Sequence, residues 1–328
     1  MGRSGRSTIR KADILKIVFM GTPDFAVAAL EKLYENDYDI AAVFTQTDKP
    51  KGRGYKLTPP PVKVIAQQHG TPVYQPKSLK KDADEYLEVL KTIAPDVIVV
   101  AAYGKILPKE VLDIPRLGCV NIHGSLLPEY RGAAPIQWAV LDDKAQTGIT
   151  TMLMSEGLDT GDILMQSVTD IGTDETASEL FDRLSVMGAE LLLKTLPALE
   201  KGEIIPLKQD DSKSSYAHML SKDMCEIDFD NDARAVHKKI CGLSDWPCAV
   251  TQLDGKRLKI YHSSLLSEDG VCGKPGEIID EKEFAVACKR GKIKITELQA
   301  EGSKRMKTQD YLRGKPVTKG CILGQAKE

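Results

Sequence analysis

At 328 residues the chain is longer than one average domain and suits two. Hydrophobic residues make up 42% and charged residues 28%, which excludes a disordered or fibrous chain, and no run approaches the ~18 apolar residues of a membrane-spanning helix. The net charge of −2 is uneven: residues 1–207 carry 23 Lys and Arg against 28 Asp and Glu, and residues 208–328 carry 22 against 19, which fits either a polyanion-binding back half or simply solvated lysines.

Met1–Lys11 is rich in Gly, Ser and Arg without an apolar centre, so it reads as a tag or disordered leader rather than a secretory signal. The fold is read from residue 12 onward. The seven cysteines include no Cys-x-x-Cys pair and mostly sit in apolar runs, which favours buried reduced thiols in a cytoplasmic protein over zinc or disulfides.

Leu15–Met20 predicts a buried strand, Gly21–Asp24 a tight turn, and Phe25–Tyr34 a helix with Thr22 or Asp24 as its N-cap. Ile40–Phe44 is a second strand. This opening predicts a doubly wound, mostly parallel, Rossmann-like sheet, but the turn lacks the Gly-x-Gly-x-x-Gly of a dinucleotide site. Thr45–Lys56 is a loop of Gly, Pro and charge carrying Lys49, Lys51, Arg53 and Lys56. A solvated surface loop accounts for such a run, yet its length beside a parallel sheet also suits function. Helices follow at Pro61–His69 and Asp82–Thr92, and strands at Asp96–Ala101, Cys119–His123, Gly148–Met154 and Ile163–Val168. Thr176–Lys201 is a long helix opened by Thr173, Asp174 or Thr176, and residues 203–222 are polar and read as a linker. Beyond it, Asp232–Cys241 is helical, and short β-type runs at Ala249–Leu253, Leu258–His262, Gly276–Ile279, Phe284–Ala287 and Lys292–Leu298 suggest a small barrel.

The chemistry concentrates in Cys119–Trp138. Asn121 and His123 are two apart in a strand, so they project to one face just before the chain breaks at Gly124. An amide that can hold a developing oxyanion beside an imidazole that can move a proton suits carbonyl chemistry. Taken alone, Asn-x-His is weak, since a lone His beside an apolar strand is more often a satisfied structural residue. The loop Gly157-Leu158-Asp159-Thr160-Gly161-Asp162 adds two carboxylates, either of which could orient His123 or merely cap a turn.

Asn121-Ile122-His123-Gly124-Ser125-Leu126-Leu127-Pro128, followed by Tyr130-Arg131-Gly132-Ala133-Ala134-Pro135-Ile136, resembles the folate-dependent formyltransferases. Gly21-Thr22-Pro23-Asp24-Phe25 resembles the start of those members that act on methionyl-tRNA, and Trp246-Pro247 and Gln309–Leu312 resemble their C-terminal domain. The resemblance implies a catalytic domain at 12–202, a linker at 203–222, and an OB-like, tRNA-binding β-barrel at 223–328. It assigns catalysis to Asn121, His123 and Asp159, with Asp162 structural, and binding of the co-substrate 10-formyltetrahydrofolate to Ser125, Leu126, Leu127 and Pro128. It implies methionyl-initiator tRNA as the amine substrate, with Lys49, Lys51, Arg53 and Lys56 reaching the acceptor end. No metal and no membrane partner are implied, and a monomer is expected. The rival readings are a formyltransferase acting on a small amine, such as an amino-sugar nucleotide or glycinamide ribonucleotide, and a non-catalytic nucleic-acid-binding protein. The Gly52-Arg53-Gly54 run and the segment after Lys222 argue against the first, the intact Asn/His/Asp set against the second.

Overall fold

The computed structural model describes residues 15–51, 56–79 and 83–324, so the leader at 1–11 and Arg53 lie outside the described residues. They form two compact units. The first holds the described residues up to Pro128 with Gly148–Ser167 and Arg183–Lys213; the second holds Glu129–Thr147, Val168–Asp182 and the described residues from Ser214 onward.

In chain order the elements begin with β1 (Lys16–Gly21), α1 (Val27–Glu35), β2 (Asp39–Phe44), β3 (Lys49–Lys51), β4 (Lys56–Thr58), α2 (Pro61–Gln68) and β5 (Val73–Tyr74). They continue with α3 (Ala83–Ile93), β6 (Val97–Ala101), α4 (Lys109–Leu112), β7 (Cys119–His123), β8 (Arg131–Gly132), α5 (Pro135–Leu141), β9 (Gln146–Leu153), β10 (Ile163–Asp170) and α6 (Ala177–Glu200). The main sheet has the order β10-β9-β7-β6-β1-β2-β5. β1, β2, β5, β6 and β7 run parallel, and β9 runs antiparallel to β7. Val97–Ala101 and Cys119–His123 are buried throughout, as strands covered on both faces must be, which is why they read as unbroken apolar runs. The order reverses at β1 and β6, so their carboxyl ends flank the crevice where open α/β sheets take ligands.

One face of the sheet packs Val18, Met20, Phe44, Ile98 and Val100 against Leu90 and Val111. Each such side chain contributes about 1.5–3 kcal/mol on burial. α6 lies against the sheet at Gly188, where a Cβ would come within 2.8 Å of Ile122 Cγ2, and the Ser185 hydroxyl donates to the carbonyl of Phe25 at 2.9 Å. Of the expected openers of α6, Thr176 is the one that caps: its hydroxyl accepts from the Glu179 N–H at 3.2 Å while the Glu179 carboxylate accepts from the Thr176 N–H at 2.9 Å. The cap expected for α1 is absent. A short 3-10 turn at Asp24–Ala26 leads into that helix without a side-chain cap, and the Thr22 hydroxyl donates to the Tyr103 carbonyl instead, at 3.1 Å.

The second unit adds β11 (Tyr216–Ala217), α7 (Ala233–Gly242), β12 (Ala249–Leu253), β13 (Lys256–Ser267), β14 (Ile278–Asp280), β15 (Ala285–Ala287), β16 (Lys292–Ala300), β17 (Met306–Lys307) and α8 (Thr308–Gly314). Its antiparallel sheet has the order β12-β13-β16-β15-β14, with β17 also on β16. Ile293 and Ile295 alternate inward with Lys292 and Lys294 half-buried, the period of a sheet with one apolar face. β13 is longer than the expected Leu258–His262, and its register against β16 shifts around His262. The core of this unit joins Val236 and Ile240 to Ile260, Phe284, Val286, Ile293 and Ile295, with Trp138 and Leu141 of α5 packed against it. No two described cysteines are disulfide-bonded; burial pushes the thiols of Cys119, Cys241 and Cys288 up to about 12, so they stay protonated.

Candidate active site at the end of strand β7

β7 carries Asn121 and His123 to the carboxyl edge of the parallel strands, between Val100 of β6 and Met152 of β9 for Asn121, and beside Thr150 of β9 for His123. Both side chains are buried, at 8% and 6% exposure. A buried amide and a buried imidazole meet little competing water, which strengthens every hydrogen bond they offer a ligand.

Asp159 stands on the turn that joins β9 to β10. Its carboxylate Oδ2 lies 3.8 Å from Nδ1 of His123, within ion-pair range but longer than a hydrogen bond. Asp159 has a left-handed backbone (φ 53), a conformation Asp tolerates better than most side chains. The turn is closed at its neck by the Leu153 N–H donating to the Asp162 carbonyl at 2.9 Å. Gly161 is required there because a Cβ would overlap the carbonyl oxygen of Leu153.

After His123 the chain enters Ser125–Pro128. Ser125 and Leu127 are buried, Leu126 and Pro128 half-buried, and the Leu127–Pro128 peptide is cis. Leu127 packs with Met152 and Ile163. The Thr150 hydroxyl donates to the Ser125 carbonyl at 2.7 Å and accepts from the Leu127 N–H at 3.1 Å. Gln166 donates to the Leu127 carbonyl at 2.9 Å and to the Thr150 hydroxyl at 3.0 Å. These three backbone groups are therefore bonded within the protein, and Leu126 and Pro128 are the half-buried side chains of the loop. Thr150 and Gln166 escaped the sequence reading, as did Gln209, whose side-chain amide donates to the carbonyls of Asp159 and Gly161 at 2.8 and 2.7 Å. At the neighbouring strand ends, the Tyr103 carbonyl accepts from Gln46 at 3.0 Å as well as from Thr22.

The basic stretch expected as a loop holds a strand pair. β3 and β4 run antiparallel, with Lys51 opposite Lys56, and polar β-residues without apolar alternation hid them. Lys49 extends to the Gln46 carboxamide oxygen at 2.8 Å. Lys63 binds Asp48, just before β3, at 2.8 Å and Gln75 at 2.8 Å, and Gln75 donates to the Gln46 carbonyl at 2.7 Å. The side chains of Lys51 and Lys56, like all of Arg53, lie outside the described residues.

Among the described residues no three His, Cys, Asp or Glu side chains gather as a metal site, and no helix is long and apolar enough to cross a membrane. Comparison with known proteins matches residues 15–196 to the formyl transferase family and residues 219–316 to the formyl transferase C-terminal domain. The methionyl-tRNA formyltransferase of Geobacter metallireducens is 49% identical over 312 residues, 94% of this chain and 99% of that protein. That of Clostridium novyi is also 49% identical, over 94% of this chain and 100% of its own length. Among solved structures, an N-formyltransferase from Helicobacter canadensis in complex with folinic acid and dTDP-3-aminofucose superposes with a TM-score of 0.65 at 21% identity, covering 88% of this chain and 100% of that one. HypX from Aquifex aeolicus in complex with tetrahydrofolic acid gives 0.64 at 18% identity over 92% of this chain, which spans about half of HypX (47%). Those two structures share the fold, whereas the two family matches and the near-half identity along almost the entire sequence reach further: the chain belongs to the formyl transferase family, with both the N-terminal and the C-terminal domain of that family.

Proposed function

We propose that the protein transfers the formyl group of 10-formyltetrahydrofolate to the α-amine of methionine esterified to initiator tRNA. The observation that carries this reading is the 49% identity to methionyl-tRNA formyltransferases over 94% of the chain and essentially all of their length. An amino-sugar nucleotide as acceptor finds support only at 21% identity.

In this mechanism the α-amine, with an ordinary pKa of about 7.7–8.0, attacks as the neutral base. Asn121 holds the formyl oxygen as it gains negative charge, and a protonated His123 shares that charge. Asp159, 3.8 Å from the imidazole, completes the pair that relays the amine's proton to the departing folate nitrogen. The amine adds to the formyl carbon to give a tetrahedral centre, and collapse of that centre breaks the bond to the folate nitrogen, which leaves with the proton; no redox step is involved. Leu126, Leu127 and Pro128, with the buried Ser125, form the wall that holds the folate. Residues 12–202 do the chemistry, 203–222 connect, and 223–328, with Lys49, Lys51, Arg53 and Lys56, bind the tRNA. The protein works as a cytoplasmic monomer.

The test is acid gel electrophoresis of charged initiator tRNA after incubation with the protein and 10-formyltetrahydrofolate. Formylated product at catalytic enzyme concentrations is expected. Formylation of an amino-sugar nucleotide with none on tRNA would overturn the assignment.

A further inference from the structure

The turn bearing Asp159 has little packing of its own. Leu158 at its tip is 59% exposed, and the Ser155 and Thr160 hydroxyls, 2.9 Å apart, bond to each other across it. Asp159 adopts a left-handed backbone, which persists only where neighbouring bonds hold it. Those bonds come from far along the sequence. Leu207 and Ile163 exchange both backbone hydrogen bonds at 2.8 Å, which lays the segment after α6 beside the exit of the turn. Two residues on, Gln209 is 7% exposed and directs its amide nitrogen at the carbonyls of Asp159, at 2.8 Å, and of Gly161, at 2.7 Å. Both hydrogens of one –NH2 group are thereby committed to the Asp159–Thr160 and Gly161–Asp162 peptide units.

We propose that Gln209 is a positioning residue for formyl transfer: its amide locks the Gly157–Asp162 turn in the backbone conformation that aims the Asp159 carboxylate at His123. The proposal rests on the reading of Asp159 as a catalytic group. Gln209 acts through the backbone of Asp159. Rotation of the 158–160 peptides would carry the carboxylate out of the 3.8 Å range, and a misplacement of about 1 Å in a reacting site costs on the order of 100-fold in rate.

The test compares the full-length protein with Gln209→Met, which keeps the length of the side chain and removes both donors, with Asp159→Asn, and with the double variant. Gln209→Met should lower kcat about 10–100-fold while KM for folate and for tRNA stays within about twofold. In the Asp159→Asn background the same change should cost nearly nothing, since there is no longer a carboxylate to aim. Hydrogen exchange of the 157–162 amides should quicken in Gln209→Met at unchanged global stability. Gln209→Glu, which keeps the length and loses the –NH2, is read in the same way if the Met variant folds poorly. Parental kcat in Gln209→Met, or an undiminished loss in the Asp159→Asn background, would overturn the proposal. If Asp159→Asn alone keeps full turnover, the catalytic reading of Asp159 fails; quickened exchange of the turn then still supports the tether, and unchanged exchange sinks it too.

Discussion

Thr150 stands directly opposite His123 in the ladder between β7 and β9, and its hydroxyl binds the loop that follows His123. One fully buried side chain thus ties the candidate catalytic strand to the candidate folate loop. Thr150→Val keeps the shape and removes the hydroxyl, leaving the Ser125 carbonyl, the Leu127 N–H and the Gln166 amide each short of a partner. The expected cost is about 1–3 kcal/mol of stability in denaturant unfolding. A KM for folate that rises more than kcat falls would place the effect on the loop; the reverse pattern would place it on His123.

Asn121→Ala should lower kcat about 10²–10³-fold, the loss seen when one oxyanion donor is removed, with a smaller effect on folate binding. Asp159→Asn should be comparably damaging, because the imidazole loses the carboxylate that partners it in proton transfer. Single-turnover formylation measures both, and near-parental rates in either variant would remove that residue from the mechanism.

Arg53 belongs to the stretch between β3 and β4, where the tRNA reading places it on the acceptor end. Arg53→Ala should lower kcat on charged initiator tRNA more than it raises KM, and should narrow the preference over elongator tRNA. Lys or Arg changes on the C-terminal sheet should instead weaken tRNA binding and flatten its salt dependence, since phosphate contacts set that slope. Steady-state kinetics on both charged tRNAs at two salt concentrations separates the two roles.

His237 carries the pH dependence that the fold itself builds in. Its ring is fully buried, with Nδ1 2.8 Å from the Ser263 hydroxyl and Nε2 3.1 Å from both the Thr173 carbonyl and the Asp174 carboxylate; Lys238, Cys241 and His262 are its other titratable neighbours. Burial pushes its pKa below the ordinary 6.5, and Asp174 offsets this only in part. As pH falls through about 6.5 the unfolded chain takes up a proton that the folded one refuses, so stability declines by up to about 1.4 kcal/mol per pH unit and levels off below the folded pKa. Denaturant unfolding between pH 7.5 and 5 should show this slope, and His237→Gln should reduce it.

Cys119–His123 was legible residue for residue because a strand covered on both faces leaves an unbroken apolar run in which two polar groups stand out. The resemblance of the following loop then named the chemistry. What stayed hidden was held by polar residues distant along the chain: Thr150 lies 25 residues from Ser125, and Gln209 lies 50 from Asp159. A buried Thr or Gln has no periodicity to betray it, and each reads as a surface residue until the sheet brings its partner alongside. β3 and β4 were missed for a related reason, since Lys-Pro-Lys and Lys-Leu-Thr lack the alternation that marks a half-buried strand.

The second unit is assembled from stretches that leave the ribosome at very different times. α5 contributes Trp138 and Leu141 to a core whose other helix, α7, presses Gly242 against Leu141 with no space for a side chain. Roughly a hundred residues of synthesis separate the two helices, which at about 5–20 residues per second is a wait on the order of 5–20 s. Throughout that interval the nascent chain displays the apolar side of α5 with nothing from its own C-terminal half to cover it. A ribosome stalled anywhere between the two helices therefore holds a natural client for holding chaperones, and chain release before α7 forms leaves a product with a permanently sticky surface.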